Sequence, residues 1–261
     1  MKWSAQADTA IKNVPFFIRK KVRQKVEAHA QSRGKSGVDI EDVTSLKKQF
    51  LSKGGMEKEV RGYDISACFG GEGCPNSANS CAELLVRIQG LMEKADILSF
   101  LKAAVPEGLK FHHEFRVSLS DCPNACSRPQ IVDIGIIGAV RPVVGATACT
   151  QCMACVSACP DEAICLTTKE HPIIDQNLCL LCSKCITACP TGTIEESEKG
   201  FRVLLGGRLG RHPRLAMEVP GIQSQRQVLT IVENCLAFYK THSKNGQRFS
   251  KILTSIDQIL P

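Results

Sequence analysis

The chain has 261 residues, 15 of them Cys, and a formal charge of +7 from 33 Lys and Arg against 26 Asp and Glu. That length suffices for one large or two small domains with real cores. No run of about 18 apolar residues occurs and no apolar leader-like region opens the chain, so no membrane span is expected and a soluble, cytoplasmic protein with its cysteines held as thiolates is read in place of a secreted disulfide scaffold.

Residues 1–52 read as a small helical module. Ser4 is placed to cap a first short helix. A second helix is expected from Pro15 to Gly34, and a third after Asp39. Ile18, Val22, Val26 and Ala30 recur every four residues and make an apolar stripe. Arg19, Lys20, Lys21, Arg23 and Lys25 fill most of the remaining surface, either as a solvated helix face or as an anion site, since Arg pairs with carboxylates in a bidentate way. The stretch from Trp3 to Val14-Pro15-Phe16-Phe17-Ile18-Arg19-Lys20-Lys21-Val22-Arg23 resembles the small C-terminal domain of the light-independent protochlorophyllide reductase B subunit. That resemblance implies proximity to a tetrapyrrole or its enzyme.

Lys53-Gly54-Gly55 reads as a linker. Beyond it comes Cys68-x5-Cys74. Cys81, Leu84, Leu85, Ile88 and Leu91 then fall at helical spacing, so Cys81 is read as a core residue and not as a ligand. Phe111, His113, Phe115, Val117 and Leu119 alternate with polar residues and predict a half-buried strand, with His112 and His113 as ordinary strand positions. It leads into Ser120-Asp121-Cys122-Pro123-Asn124-Ala125-Cys126. Ile131–Val144 reads as a buried strand and turn. By spacing alone, Cys68-x5-Cys74 with Cys122-x3-Cys126 supports a four-thiolate site, either a [4Fe–4S] cluster or zinc.

Residues 149–190 carry C-x2-C-x2-C-x3-C-P twice, and each Cys recurs 30 residues later. Three thiolates come from one tight loop, and the fourth Cys of each run ligates the other cluster. One [4Fe–4S] cluster is therefore assigned to Cys149, Cys152, Cys155 and Cys189, and a second to Cys179, Cys182, Cys185 and Cys159. Zinc prefers ligands in pairs, without a third Cys three residues further on. This segment closely resembles a bacterial two-cluster ferredoxin. Cys165 is read as a structural Cys beside its strands. In the return segment, Phe201–Leu205 predicts a strand, and Val228, Ile231, Val232, Cys235, Leu236 and Tyr239 form a helix stripe that makes Cys235 core. Gly206-Gly207-Arg208-Leu209-Gly210-Arg211-His212-Pro213-Arg214 is a glycine-rich basic loop. It is not G-x-G-x-x-G, so no dinucleotide site is read there.

Cys122-Pro123-Asn124-Ala125-Cys126 followed by Asp133-Ile134-Gly135-Ile136-Ile137-Gly138 closely resembles the sirohaem-type sulfite and nitrite reductases, whose anaerobic and dissimilatory members carry a ferredoxin domain inserted at this place. The resemblance implies an α+β fold. It has a helical module over 1–55, a sulfite/nitrite-reductase-type α/β half domain over 56–138 and 200–261, and an inserted 2[4Fe–4S] ferredoxin domain over 139–199. It implies a third [4Fe–4S] cluster on Cys68, Cys74, Cys122 and Cys126, with Cys126 bridging to a sirohaem iron and Asn124 against the macrocycle. The glycine-rich basic loop, with Arg208, Arg211 and Arg214, is then either a holder of some macrocycle carboxylates or a solvated turn. Electrons from a low-potential donor such as ferredoxin would enter at the ferredoxin clusters, and sulfite or nitrite would be reduced at the sirohaem. The family builds its site from two related halves, and this chain has one half, without the small lobe that precedes the C-x5-C motif. A homodimer or a partner subunit then completes the site, or Arg19, Lys20, Lys21 and Arg23 supply the basic groups, or the site no longer reduces sulfite. The competing readings are a three-cluster electron-transfer subunit and a tetrapyrrole-handling protein. Each oxidised cubane with four thiolates carries about two negative charges, so three of them bring the positive balance close to neutral and no nucleic-acid partner is read from it.

Overall fold

The computed structural model of the chain describes residues 1–12, 14, 16–52, 60–166 and 171–260, without the side chains of 16–18 and 48–52. Pro15 as a helix start, Ile18 in the apolar stripe and the Lys53-Gly54-Gly55 linker lie outside that description. The fold is α+β and divides into two compact units, Met1–Val60 with Gly108–Phe111, and Arg61–Glu107 with His112–Pro261. No helix among the described residues is long and apolar enough to cross a membrane.

The first unit is a helical module. Strand β1 (Lys2–Trp3) precedes α1 (Ala5–Lys12), and α2 (Phe16–Ser32) is followed by β2 (Gly37–Val38) and α3 (Ile40–Ser52). The Ser4 hydroxyl accepts from the Ala7 N–H at 3.2 Å, satisfying one of the orphan donors at the start of α1. Val26 and Ala30 of α2 are buried with Ala7 and Val38, and Trp3, Val22, Val43 and Leu46 pack around them. The chain leaves α2 through Gly34, whose φ of +74° suits glycine. β1 and β2 then pair in parallel. Asp39 caps α3 by accepting from the N–H groups of Glu41 and Asp42 at 3.0 and 3.1 Å. Lys35 donates to Asp39 and to the fully buried Asp42, at 2.8 and 2.9 Å. The hydrogen bond from Lys35 holds the Asp39 carboxyl below its ordinary pKa.

The second unit is built on a five-stranded mixed sheet of order β3-β4-β5-β8-β9. Its first part runs β3 (Tyr63–Ala67), α4 (Ala82–Ala95), α5 (Ile97–Ala104), β4 (Phe115–Ser120) and β5 (Ile134–Val144). A duplicated segment follows, with α6 (Ala154–Ala158), β6 (Ile164–Leu166), β7 (Pro172–Ile174) and α7 (Lys184–Ala188). β8 (Ile194–Leu205), β9 (Met217–Glu218), α8 (Gln225–His242) and α9 (Phe249–Ile252) complete it. β3, β4 and β5 are parallel, and β8 returns antiparallel to β5. Helices α4 and α8 pack on each other and on β3 and β8. Phe115, Tyr239 and Phe249 fill the core, with the Phe115 ring 5.2 and 5.3 Å from the other two.

Three sequence expectations are corrected here. Phe111–His113 form a 3-10 turn, so the strand begins only at Phe115. That strand is not half-buried. It lies between β3 and β5, and Ser118 and Ser120 are as buried as Val117 and Leu119. Its buried hydroxyls are tolerable because each is hydrogen-bonded to Ser127. Ile131–Val144 contains no closing turn. β5 and β8 stay paired from Ile134↔Leu205 to Val144↔Ile194, with a bulge at Arg141/Pro142, and they cross positions 138/139 and 199/200 without a break.

Asp133 ties these layers together. It is 1% exposed, and its carboxylate accepts from the Arg116 N–H at 3.0 Å and the Ser250 N–H at 3.3 Å, with Arg248 3.7 Å away. Burial pushes its pKa up, against Arg248 and the two N–H groups. Asp133→Ala leaves two buried N–H groups and a guanidinium without this acceptor and should cost about 3 kcal/mol of stability in urea unfolding. Asp133→Asn keeps an acceptor and should cost clearly less; equal losses would refute the network. In the helical unit, Asp42→Ala should cost about 2 kcal/mol, read as faster hydrogen exchange across α2 and α3.

Candidate metal centres

The duplicated segment forms two pockets. Within each Cys-x2-Cys-x2-Cys run, two residues adopt left-handed backbone, Gln151 and Met153 in the first and Leu181 and Ser183 in the second, with φ between 59° and 63°. This conformation curls the Cys-x2-Cys-x2-Cys run so that backbone N–H groups turn toward sulfur, as Gln151 N–H does toward Cys149 at 3.3 Å. The short helices α6 and α7 follow, and the chain then crosses to the other half. The first pocket is lined by Cys149, Cys152, Cys155 and Cys189, together with Thr191 and Thr193. The second is lined by Cys159, Cys179, Cys182 and Cys185, together with Asp161 and Lys184. Each pocket thus draws three thiols from one half and the fourth from the other. Among the described residues no three His, Cys, Asp or Glu side chains meet at a point for one ion; the thiols border the pockets.

Burial raises the thiol pKa of Cys155 and Cys179 and pushes that of Cys185 up to about 12. Cys189 goes the other way. Desolvation raises it, but N–H groups of Ile194, Thr191 and Thr193 and the Thr191 hydroxyl bring it down to about 7. Thiols raised by burial ionise readily only next to a compensating cation, which is what metal binding provides.

A third cysteine group lies where β3 and β4 end. Cys68 caps a 3-10 turn, Phe69–Glu72, and its sulfur accepts from the Gly70 N–H at 3.4 Å and the Asp121 N–H at 3.2 Å. Cys122 is buried, which raises its pKa, and the sulfurs of Cys68, Cys126 and Cys74 all bear on it electrostatically. The structure therefore brings all four together. Cys126 is exposed, as is Asn124. Two further groups fix the loop. Ser127 donates to the Leu119 carbonyl at 2.6 Å and meets the Ser120 hydroxyl at 2.6 Å. The Asp121 carboxylate accepts from the Cys81 N–H at 2.9 Å and the Ser77 hydroxyl at 3.2 Å. Gly70 and Gly138 are required here, because a Cβ at either would collide with Asp121. Neither Ser127 nor Asp121 stands out in the sequence; their position beside the C-x3-C motif is the signal for them.

The second pocket adjoins this third group. The Val140 N–H donates to the Leu181 carbonyl at 2.9 Å, and Val140, Ala78 and Ile186 pack around Cys122.

Other candidate residues are engaged elsewhere. Arg208 donates to the His212 and Ser250 carbonyls, and Arg214 to those of Gly206, Ser250 and Leu253, at 2.6 to 3.2 Å. The two guanidinium groups thus join carbonyls of the glycine-rich loop, Gly206 and His212, to those at α9, Ser250 and Leu253. These contacts engage Arg208 and Arg214 with the backbone, and Arg211 is exposed. In the helical unit Arg19 closes the end of α1 through the Lys12 and Val14 carbonyls. Arg23 pairs with Asp8 at 2.8 Å and lies 4.3 Å over the Trp3 ring. Lys20 and Lys21 are exposed. Cys81 and Cys235 are buried core residues, Cys81 with its sulfur toward the Ser120 carbonyl. Cys165, expected to be structural, faces outward from β6.

Comparison with known proteins gives two family matches. Residues 103–257 match the nitrite and sulphite reductase 4Fe-4S domain, and residues 3–47 match the proto-chlorophyllide reductase 57 kD subunit. The chain is 31% identical over 229 residues to the coenzyme F420-dependent sulfite reductase of Methanocaldococcus jannaschii, covering 87% of this chain and 34% of that protein. It is 41% identical over 54 residues to the light-independent protochlorophyllide reductase B subunit of Heliobacterium modesticaldum, covering 21% of this chain and 10% of that protein. The chain thus spans about a third or less of the length of these relatives. Among solved structures, dissimilatory sulfite reductase I aligns with a TM-score of 0.47 at 14% identity, over 75% of this chain and 50% of that one. With more than half of its length matched, the chain belongs to the nitrite and sulphite reductase 4Fe-4S domain family.

Proposed function

We propose that each of the three cysteine quartets holds a [4Fe–4S] cluster, that the Cys126 sulfur is shared with a sirohaem iron, and that the chain reduces a small oxyanion, sulfite or nitrite, with electrons from a low-potential donor such as a ferredoxin. The observation that carries this reading is that Val140, whose N–H donates to the Leu181 carbonyl beside the second ferredoxin-type pocket, shares a buried cluster with Cys122 and Ala78, against which Ile186 packs. The donor sets fit. Each ferredoxin-type pocket offers four sulfurs, and the third group offers four more, with backbone N–H groups aimed at several of them. When bound, the clusters supply one-electron transfer and the macrocycle supplies an iron with an open position for the oxyanion.

The chain's own residues would do the rest. Cys68, Cys74, Cys122 and Cys126 hold the third cluster, and the exposure of Cys126 leaves its outer side open to a macrocycle. Ala78, Val140 and Ile186 keep water from Cys122, so charges there interact in a low dielectric. The Val140–Leu181 hydrogen bond holds the second pocket against β5. Arg128, exposed two residues beyond Cys126, is a cation suited to an oxyanion. A homodimer or partner subunit would supply what the single half lacks. A three-cluster electron-transfer subunit without a macrocycle is the second reading. The engagement of Arg208 and Arg214 with backbone carbonyls favours it, since the loop then offers Arg211 alone of the three.

Anaerobic purification from a host that makes sirohaem separates the two. The oxidoreductase reading requires about thirteen iron atoms, one of them in about one extractable macrocycle per chain, with reduced-dye turnover of sulfite or nitrite. Full iron loading without a macrocycle sinks the sirohaem assignment and leaves the electron-transfer subunit. Cys74→Ala should lower the iron content by about four atoms, and Cys81→Ala should leave it unchanged. Cys126→Ser should lose the macrocycle while both ferredoxin-type clusters persist in the electron paramagnetic resonance spectrum. Retention of the macrocycle in that variant would refute the bridging role.

A further inference from the structure

The two halves of the duplicated segment differ chemically, and we infer that the first pocket, that of Cys149, Cys152, Cys155 and Cys189, holds its cluster at the higher reduction potential because Thr191 and Thr193 direct a hydroxyl chain at the Cys189 sulfur. This rests on the two ferredoxin-type clusters proposed above.

The Thr191 hydroxyl lies 3.6 Å from the Cys189 sulfur and 2.8 Å from the Thr193 hydroxyl, and Thr193 reaches the Ala148 carbonyl at 3.1 Å. Two hydroxyl protons therefore face three acceptors: the Ala148 oxygen, the other threonine's oxygen and the sulfur. A neutral thiol makes no strong claim on them. A metal-bound thiolate does, since a charged acceptor takes a stronger hydrogen bond than a neutral carbonyl. With a cluster bound, the chain then runs from Thr193 to Thr191 to Cys189. Reduction of [4Fe–4S]2+ to [4Fe–4S]+ adds one negative charge that the sulfurs share, so a donor on sulfur favours the reduced state and raises the potential.

The other half has no such chain. Thirty residues earlier, Asp161 and Ala163 stand at the positions of Thr191 and Thr193. An ionised carboxylate only accepts, and alanine has nothing to donate. Cys159 does receive the Ala163 N–H at 3.3 Å, and Cys189 likewise receives that of Thr193, so this main-chain contact is common to both halves. Asp161 and Lys184 both line the second pocket, so their opposite charges do not rank the pair. Exposure adds to the hydroxyl effect. Cys152 is exposed and its counterpart Cys182 is half-buried, and water favours the more highly charged reduced state.

The consequence concerns where an electron rests. A single electron from a one-electron donor such as dithionite reduces one [4Fe–4S]2+ to [4Fe–4S]+ in the first pocket. The second pocket, which adjoins Cys122, fills only with the next electron. The segment then holds one electron in reserve ahead of a multi-electron reaction.

Potentiometric titration of the whole holoprotein, followed by electron paramagnetic resonance, tests this without assigning signals in advance. The native chain should show two ferredoxin-type steps. Thr191→Val should lower the upper step so that the reduced-to-oxidised ratio at a fixed potential falls about tenfold, about 59 mV for one electron, and should leave the lower step in place. Thr191→Ser, which restores the hydroxyl, should return the upper step to its native value. Should Thr191→Val fail to load its cluster, Thr193→Ala carries the same test with a smaller shift in the same direction. An unmoved upper step, or a shift of the lower step instead, overturns the inference while leaving the clusters in place. Fewer than two ferredoxin-type steps in fully iron-loaded native protein overturns the cluster reading itself and this inference with it.

Discussion

The long antiparallel pairing of β5 with β8 is the constraint on which the second unit depends. Its inner end, Ile134↔Leu205, is a core strand pair, and its outer end, Val144↔Ile194, is the wall of the duplicated segment. A ladder of this length resists hinge motion, because bending it would break hydrogen bonds on both strands at once. The single bulge at Arg141/Pro142 is where the ladder departs from regular register, and Pro142 lines the second pocket. The duplicated segment is therefore held to the sheet as a rigid extension. Without that rigidity, the packing of Ile186 and Val140 on Cys122 would not be fixed.

Buried polar groups at the third cysteine group do the same work at shorter range. The chain turns three times there, at Cys68–Cys74, Ser77–Cys81 and Asp121–Ser127. Turns bury main-chain donors that no strand can satisfy. Asp121 takes the Cys81 N–H and the Ser77 hydroxyl with its carboxylate, and its carbonyl takes the N–H groups of Ala78 and Asn79. Its own N–H goes to the Cys68 sulfur. One residue thus links all three turns, and the space that Gly70 and Gly138 leave is the space it occupies.

How much of this was legible depended on the range of the chemistry. The paired Cys runs could be read because three thiols within one loop are a local fact, and so was the caution over Cys81, whose helical spacing with Leu84 and Ile88 is also local. The capping of α1 by Ser4 and of α3 by Asp39 belongs to the same class. Alternation at 111–119 misled because it reports only which side chains are apolar. It cannot tell a 3-10 turn from the first residues of a strand, nor foresee that β3 and β5 would bury both faces of β4. The backbone contacts of the arginine loop were hidden for a related reason. Composition shows that Arg208 and Arg214 carry charge, but the Gly206, Ser250 and Leu253 carbonyls they bind become neighbours only after the sheet and α9 are in place. Thr191 and Thr193 escaped notice because the repeat drew attention to what recurs, and these positions are where it does not.

Of the four sulfurs in the third group, Cys122 is buried on the side of Val140 and Ile186, and Cys126 faces outward. A group held there has a dry side toward the second pocket and an open side toward solvent. A low dielectric favours charge transfer between fixed sites because little solvent must reorganise, whereas a reacting oxyanion has to exchange with water. Under the proposed function both demands fall on this group, and they are compatible only on its opposite sides. The C-x3-C turn produces that separation directly. It sets Cys122 at the end of β4, against the core, and carries Cys126 four residues on, past the left-handed Ala125, to the rim. Ser127 then locks the turn to β4 through the Leu119 carbonyl and the Ser120 hydroxyl, so the difference in exposure between the two sulfurs is built into the fold.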